Sequence, residues 1–143
     1  MILISHRGNT TGPKPDNENS LDYVNQAIIQ GYNVEIDVWL IGNTFYLGHD
    51  KPEYIVSEQF LKQKKLWCHA KNYEALQALM KIKAHCFWHE TDKVTITSKG
   101  FIWAFPGHQP LKNSIAVMPE INNEDVSQCI GICSDYIEQY KDK

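Results

Sequence analysis

The sequence predicts a single α/β domain built on parallel strands. Two observations carry that expectation. Short runs of β-branched and aromatic residues alternate with longer segments of helical period, the pattern of strands joined by crossover helices. The chain's 143 residues, 43% hydrophobic and 22% charged, are enough to bury one core. No linker, repeat or low-complexity stretch interrupts the chain, so residues 1–143 read as one domain.

The elements follow in order. Met1–Ser5 reads as a strand, followed by a Gly/Pro/Asn-rich loop from Gly8 to Asn17. Asn19 or Ser20 caps a helix with Leu21, Val24 and Ile28 on one face, and Gly31 stops it. Val34–Val38 and, after a Gly42-Asn43 turn, Phe45–Leu47 read as strands. Ser57 caps a short helix carrying Phe60 and Leu61. Leu66–Ala70 is a strand, and Asn72 caps a helix over Tyr73–Lys81 with Leu76, Leu79 and Met80 as its apolar face. His85–Trp88, Val94–Thr97, Phe101–Phe105, Ser114–Met118 and Ile130–Cys133 complete the strands, and Asn123-Glu124-Asp125 opens a last short helix. Helical signals nearly vanish after Thr91.

Composition narrows the function. A net charge of −3 with no basic stripe argues against nucleic acid and anionic membrane as partners. No apolar run approaches the roughly 18 residues of a membrane span. The segment Met1–Ile4, followed at once by Ser5-His6, has neither the charged start nor the long apolar stretch of a signal peptide. Cys68, Cys86, Cys129 and Cys133 fall in apolar stretches, which suits free thiols in a reducing, cytoplasmic setting.

The chemistry gathers near strand ends. In Val34-Glu35-Ile36-Asp37-Val38 the two acids are spaced i, i+2 and project to one face. On a strand covered on both sides, paired carboxylates repel unless a cation compensates, and oxygen ligands suit Mg²⁺ or Ca²⁺. His6 and His49 end strands on either side of these acids, and two imidazoles at one site can serve as general acid and base. Arg7 offers a fork of donors to a phosphate, and Lys71, sharing a face with His69, offers a point charge. A zinc site from His85, Cys86, His89, Cys68 and His69 is disfavoured, because alternation sends Cys68 and His69 to opposite faces. Trp103 is a core residue or a lining of a substrate mouth. Glu120 is a weak site candidate, and Asp135 reads as a cap or turn residue.

In this order, His6-Arg7-Gly8, Glu18-Asn19-Ser20-Leu21, a helix ending in Gly31, Glu35-Ile36-Asp37 and Gly48-His49-Asp50 resemble the glycerophosphodiester phosphodiesterase family. The match is dense over roughly residues 2–50. It implies His6 and His49 as the catalytic pair, Glu35 and Asp37 as ligands of a divalent metal, Arg7 as a phosphate contact and Glu18 as a supporting acid. His69-Ala70-Lys71 falls where the family has Glu-x-Lys. Lys71 matches, while His69 stands at a third metal-ligand position and favours a softer ion. Gly131–Tyr136 is similar to the family's last strand.

The resemblance implies a TIM barrel, a fold that typically needs about 250 residues. Eight βα units in 143 residues leave about 18 each, too few for a full helix ring. The expectation is therefore a reduced TIM-type barrel of parallel strands, with helices shortened or missing in its second half. Apolar strand faces left uncovered would suit a homo-oligomer. The implied activity is metal-dependent hydrolysis of a small-molecule phosphodiester. The other expectation is a non-catalytic protein that binds a phosphorylated ligand.

Overall fold

A computed structural model describes residues 1–143. Ten strands form one mixed sheet: β1 (Ile2–His6), β2 (Asn33–Ile41), β3 (Thr44–Leu47), β4 (Tyr54–Val56), β5 (Leu66–Ala70), β6 (Cys86–Phe87), β7 (Val94–Ile96), β8 (Ile102–Ala104), β9 (Ser114–Val117) and β10 (Gly131–Ser134). There are three short α-helices, α1 (Leu21–Ile29), α2 (Glu58–Leu61) and α3 (Tyr73–Lys81). Two 3₁₀ turns, Pro119–Ile121 and Ile137–Tyr140, follow β9 and β10.

The expected reduced barrel of parallel strands is not what forms. Parallel ladders join β6, β5, β2, β1, β10, β9 and β8 in that order. Antiparallel pairs β2/β3, β3/β4 and β7/β8 make the sheet mixed. The ladder stops between β6 and β8, leaving a strand-dominated half-barrel. Across that interval Ser98 hydrogen-bonds β6, its amide donating to the Cys86 carbonyl at 2.8 Å and its hydroxyl accepting from the Cys86 amide at 2.9 Å. The physical reason lies in loop length. The segments around the Gly42-Asn43 and Thr97–Gly100 turns are too short for a crossover, so the chain folds back into antiparallel ribbons.

Alternation sorts the strands' side chains. On β2, Val34, Ile36 and Val38 face outward and bury against α1 and α3 in the largest apolar cluster. Each such burial contributes roughly 1.5–3 kcal/mol. Ser20 caps α1 by accepting from the Tyr23 amide at 3.4 Å, and Asn72 caps α3 by accepting from the Ala75 amide at 3.1 Å. Asn72 also exchanges hydrogen bonds with the Leu40 backbone, fastening α3 to β2. The concave face holds a second cluster that includes Ile4, Trp67, Phe87, Trp103, Ile115 and Cys133. All four cysteines are free.

The helix expected from Asn123 is absent. The Glu124 carboxylate instead accepts from the Gly107 and Gln109 amides at 2.8 and 3.0 Å, holding a loop rather than starting a helix. No helix is long and apolar enough to cross a membrane.

Candidate active site

The register of four parallel strands assembles the charged groups. His6 on β1 lies opposite Glu35 on β2, and Asp37 lies opposite His69 on β5. Ser5 lies opposite Ser134 on β10, which puts Asp135 one step beyond, beside His6. Ser5 and Ser134 alternate to the other face, while the charged side chains share the concave face and its C-terminal rim. They border a cavity of about 530 Å³ whose lining includes His6, Arg7, Glu35, His49, His69 and Lys71.

Glu35 and Asp37 are almost wholly buried, at 2% and 0% exposure. Oδ2 of Asp37 accepts from Asn19 Nδ2 at 2.9 Å and lies 3.1 Å from Arg7 Nε. The Asp37 amide donates back to Asn19 Oδ1 at 2.9 Å. Oδ1 of Asp37 and Oε2 of Glu35 have no hydrogen-bond partner although both are buried. His69 Nδ1 stands 3.4 Å from Asp37 Oδ1 and 3.6 Å from Glu35 Oε1, while its Nε2 donates to the His89 carbonyl at 2.8 Å. That second bond leaves Nδ1, the nitrogen facing the acids, as the ring's acceptor when the imidazole is neutral.

Glu35, Asp37 and His69 are the one group of acids, histidines or cysteines close enough to hold a metal ion. The three ligand atoms lie within 4.8 Å of one another, and His69 stands 3.4 and 3.6 Å from the acids, near the ~3.1 Å between ligand atoms ~2.2 Å from an ion and at right angles to each other. Two orphaned carboxylate oxygens are the donors such an ion would satisfy. The nitrogen shifts the donor set from the pure oxygen preferred by Mg²⁺ and Ca²⁺ toward ions such as Mn²⁺. The zinc alternative has no geometry behind it. Cys68 and Cys86 lie in the outer core, and His85 hydrogen-bonds Thr97 at 2.7 Å.

His6 is gripped from behind. Its Nδ1 pairs with Asp135 Oδ1 at 2.8 Å, leaving Nε2 facing the cavity 3.7 Å from Glu35 Oε2. Burial depresses the imidazolium, but the Asp135 hydrogen bond and the Glu35 charge outweigh it and raise its pKa. His69 is likewise opposed by burial, yet its two carboxylate neighbours push it up to about 9. Burial raises Asp37, but the His49 and His69 rings and Arg7 hold it well below the carboxylate range.

Arg7 ties the site together. Its Nη2 donates to His49 Nδ1 at 2.7 Å and its Nη1 lies 3.7 Å from Glu18. Much of its fork is thus spent inside the protein, whereas Lys71 Nζ, 3.9 Å from Asp37, makes no hydrogen bond to the protein. His49 sits in a turn pinned by Trp39, whose Nε1 donates to the Gly48 carbonyl at 2.6 Å. Glu18 accepts from Asn9 at 2.7 Å, and the same Asn9 amide group donates to Asp135 at 2.8 Å.

Sequence reasoning missed three parts. Asn9 and Asn19 were unassigned or read as cap candidates, and Asp135 as a turn residue; all three belong to the site's scaffold. The available signal was weak: one asparagine in the Gly/Pro/Asn-rich loop and one just beyond it, whose side chains could bond backbone and acids alike. Glu120 is not in the site, since it accepts from Ser134 and Tyr140 instead. Trp103 lines the cavity's apolar side.

Compared with known protein families, curated proteins and solved structures, the chain matches none.

Proposed function

We propose that this chain is a metal-dependent phosphoric diester hydrolase acting on a small phosphodiester of the glycerophosphodiester type. One observation carries the reading. Two buried, partly unpartnered carboxylates and an imidazole nitrogen converge in a cavity also lined by His6, His49, Arg7 and Lys71.

Glu35, Asp37 and His69 would hold the ion, which supplies Lewis-acid polarisation of a phosphoryl oxygen when bound. Lys71, aided by any free donor of Arg7, binds the phosphate's remaining charge. Of His6 and His49, one takes a proton from the attacking water or substrate hydroxyl and the other returns one to the leaving alcohol. Asp135 fixes the His6 ring so that Nε2 is the nitrogen presented to substrate.

The resemblance of residues 2–50 to glycerophosphodiester phosphodiesterases supports the substrate class. Four free thiols suit a reducing, cytoplasmic setting. Exposed Ile55 on edge strand β4 and exposed Val94 and Ile96 on edge strand β7 support self-association, to be checked by light scattering.

The test is hydrolysis of bis-(p-nitrophenyl) phosphate by protein stripped of metal and then given Mn²⁺, Mg²⁺ or Ca²⁺. Activity should return with metal and fall about 100-fold or more in His6→Ala and in Glu35→Gln. Full activity in His6→Ala overturns the mechanism. Phosphate binding without turnover in the wild type favours the non-catalytic binding protein.

A further inference from the structure

The cavity has two unlike halves. The charged groups come from β1, β2, β5 and the loop after β3, with Glu90 beside His89 in the segment after β6. The opposite wall, from the ends of β8 and β9 and the turn beyond, is apolar: Trp103, Phe105, Val117, Met118 and Ile121. Such a wall is more than catalysis on a phosphate requires, and 530 Å³ is room for a phosphate and a sizeable substituent.

His89 stands at the seam. It is only 8% exposed, yet both ring nitrogens lack any hydrogen-bond partner. Its ring lies 6.3 Å from that of His69 and 5.2 Å from that of Phe105, so it separates the proposed metal ligands from the apolar wall. A buried imidazole with two idle nitrogens on a cavity wall is costly unless a ligand completes it. A neutral imidazole offers one donor and one acceptor.

We propose that His89 and this apolar wall form a second subsite, which selects phosphodiesters carrying an apolar alkyl or aryl substituent. His89 hydrogen-bonds an oxygen on the phosphorus that bears the substituent, and the chain beyond it lies along Phe105, Met118 and Ile121. Phe105 and Ile121 are 42% and 60% exposed, so the subsite opens to solvent and accepts substituents longer than the cavity. The inference rests on the phosphodiesterase reading for its phosphate and adds the chemistry of what that phosphate carries.

Methylphosphonate and hexylphosphonate test it without turnover, by titration calorimetry with Mn²⁺ present. Five further methylenes, about half covered, should tighten binding on the order of 10–30-fold. In the double variant Phe105→Ser/Ile121→Ser that preference should drop below about threefold while methylphosphonate binding stays unchanged. Both residues are exposed enough for the variant to fold. His89→Phe, which keeps the ring and removes the nitrogens, should weaken both probes about tenfold. Equal affinity for the two phosphonates in the wild type overturns the subsite and leaves the phosphodiesterase reading standing. Binding of neither overturns both. Unchanged binding in His89→Phe removes His89 from the subsite.

Discussion

Asn19 is where fold and site are most tightly coupled, and its replacement by alanine is a severe test of the geometry. The side chain is 1% exposed and makes two 2.9 Å bonds, one to the Asp37 carboxylate and one from the Asp37 amide. A hydrogen bond to a charged group is worth about 1.5–3 kcal/mol, and a buried amide left unpaired costs about 1–3. Asn19 also sits at φ 65°, a left-handed conformation that costs alanine roughly 1–2 kcal/mol. The expected loss is about 3–5 kcal/mol, a fall in Tm on the order of 10–20 °C for a chain of this size. Urea unfolding followed by tryptophan fluorescence measures it. Asn19→Gly separates the two causes: it loses the same hydrogen bonds but accepts the backbone, so it should lie about 1 kcal/mol above Asn19→Ala. A loss below about 1 kcal/mol in Asn19→Ala would refute the claim that this side chain supports Asp37.

Three other outcomes follow from the same structure. At Gly48, φ is +156° and a Cβ would run into the Lys51 carbonyl oxygen, so Gly48→Ala should cost about 2–4 kcal/mol in urea unfolding and impair catalysis by moving His49. Asp135→Asn keeps the contact with His6 but not its charge; kcat on bis-(p-nitrophenyl) phosphate should fall about 10–100-fold with KM little changed, whereas a purely structural Asp135 would leave kcat alone. Burial, with a smaller push from Lys99, lowers His85 to about 4 from an ordinary 6.5. The unfolded chain therefore takes up a proton there before the folded one does, and stability drains away as pH falls from 6.5 to 4. Allowing for solvent at the ring edge, the loss is about 1–2 kcal/mol, and it should be missing from the pH–stability curve of His85→Gln.

How much of this was legible in the sequence depends on the range of the interaction. Local signals were legible: Ser20, Ser57 and Asn72 cap helices as their side chains suggest, and alternation on Val34–Val38 puts Glu35 and Asp37 on one face. The reach of those signals ended with the strand. That β3 and β4 fold back on β2, and β7 on β8, depends on turn length and on which edge a strand finds free. Neither is written in hydrophobic periodicity, so a parallel barrel was expected where a mixed half-barrel forms. Asp135 illustrates the limit. It lies 129 residues from His6, and only the register of β1 against β10 makes them partners.

The mixed topology leaves most of the charged site as the parallel strands set it, for a physical reason. Apart from His49, which the antiparallel β2/β3 pair places, the charged side chains need only that β5, β2, β1 and β10 lie side by side in their present register, and every one of those contacts is parallel. Helices on the convex side cover Val34, Ile36 and Val38 without touching the register that sets His6 against Glu35 and Asp37 against His69. The apolar wall is different. Phe105 is held where the β7–β8 hairpin ends, its amide donating to the Lys93 carbonyl at 3.0 Å. A helical crossover in place of that hairpin would remove this tie. The β7–β8 hairpin, which departs from the expected barrel, thus shapes the proposed substituent subsite, while the parallel strands, with His49 from the turn after β3, carry the proposed chemistry.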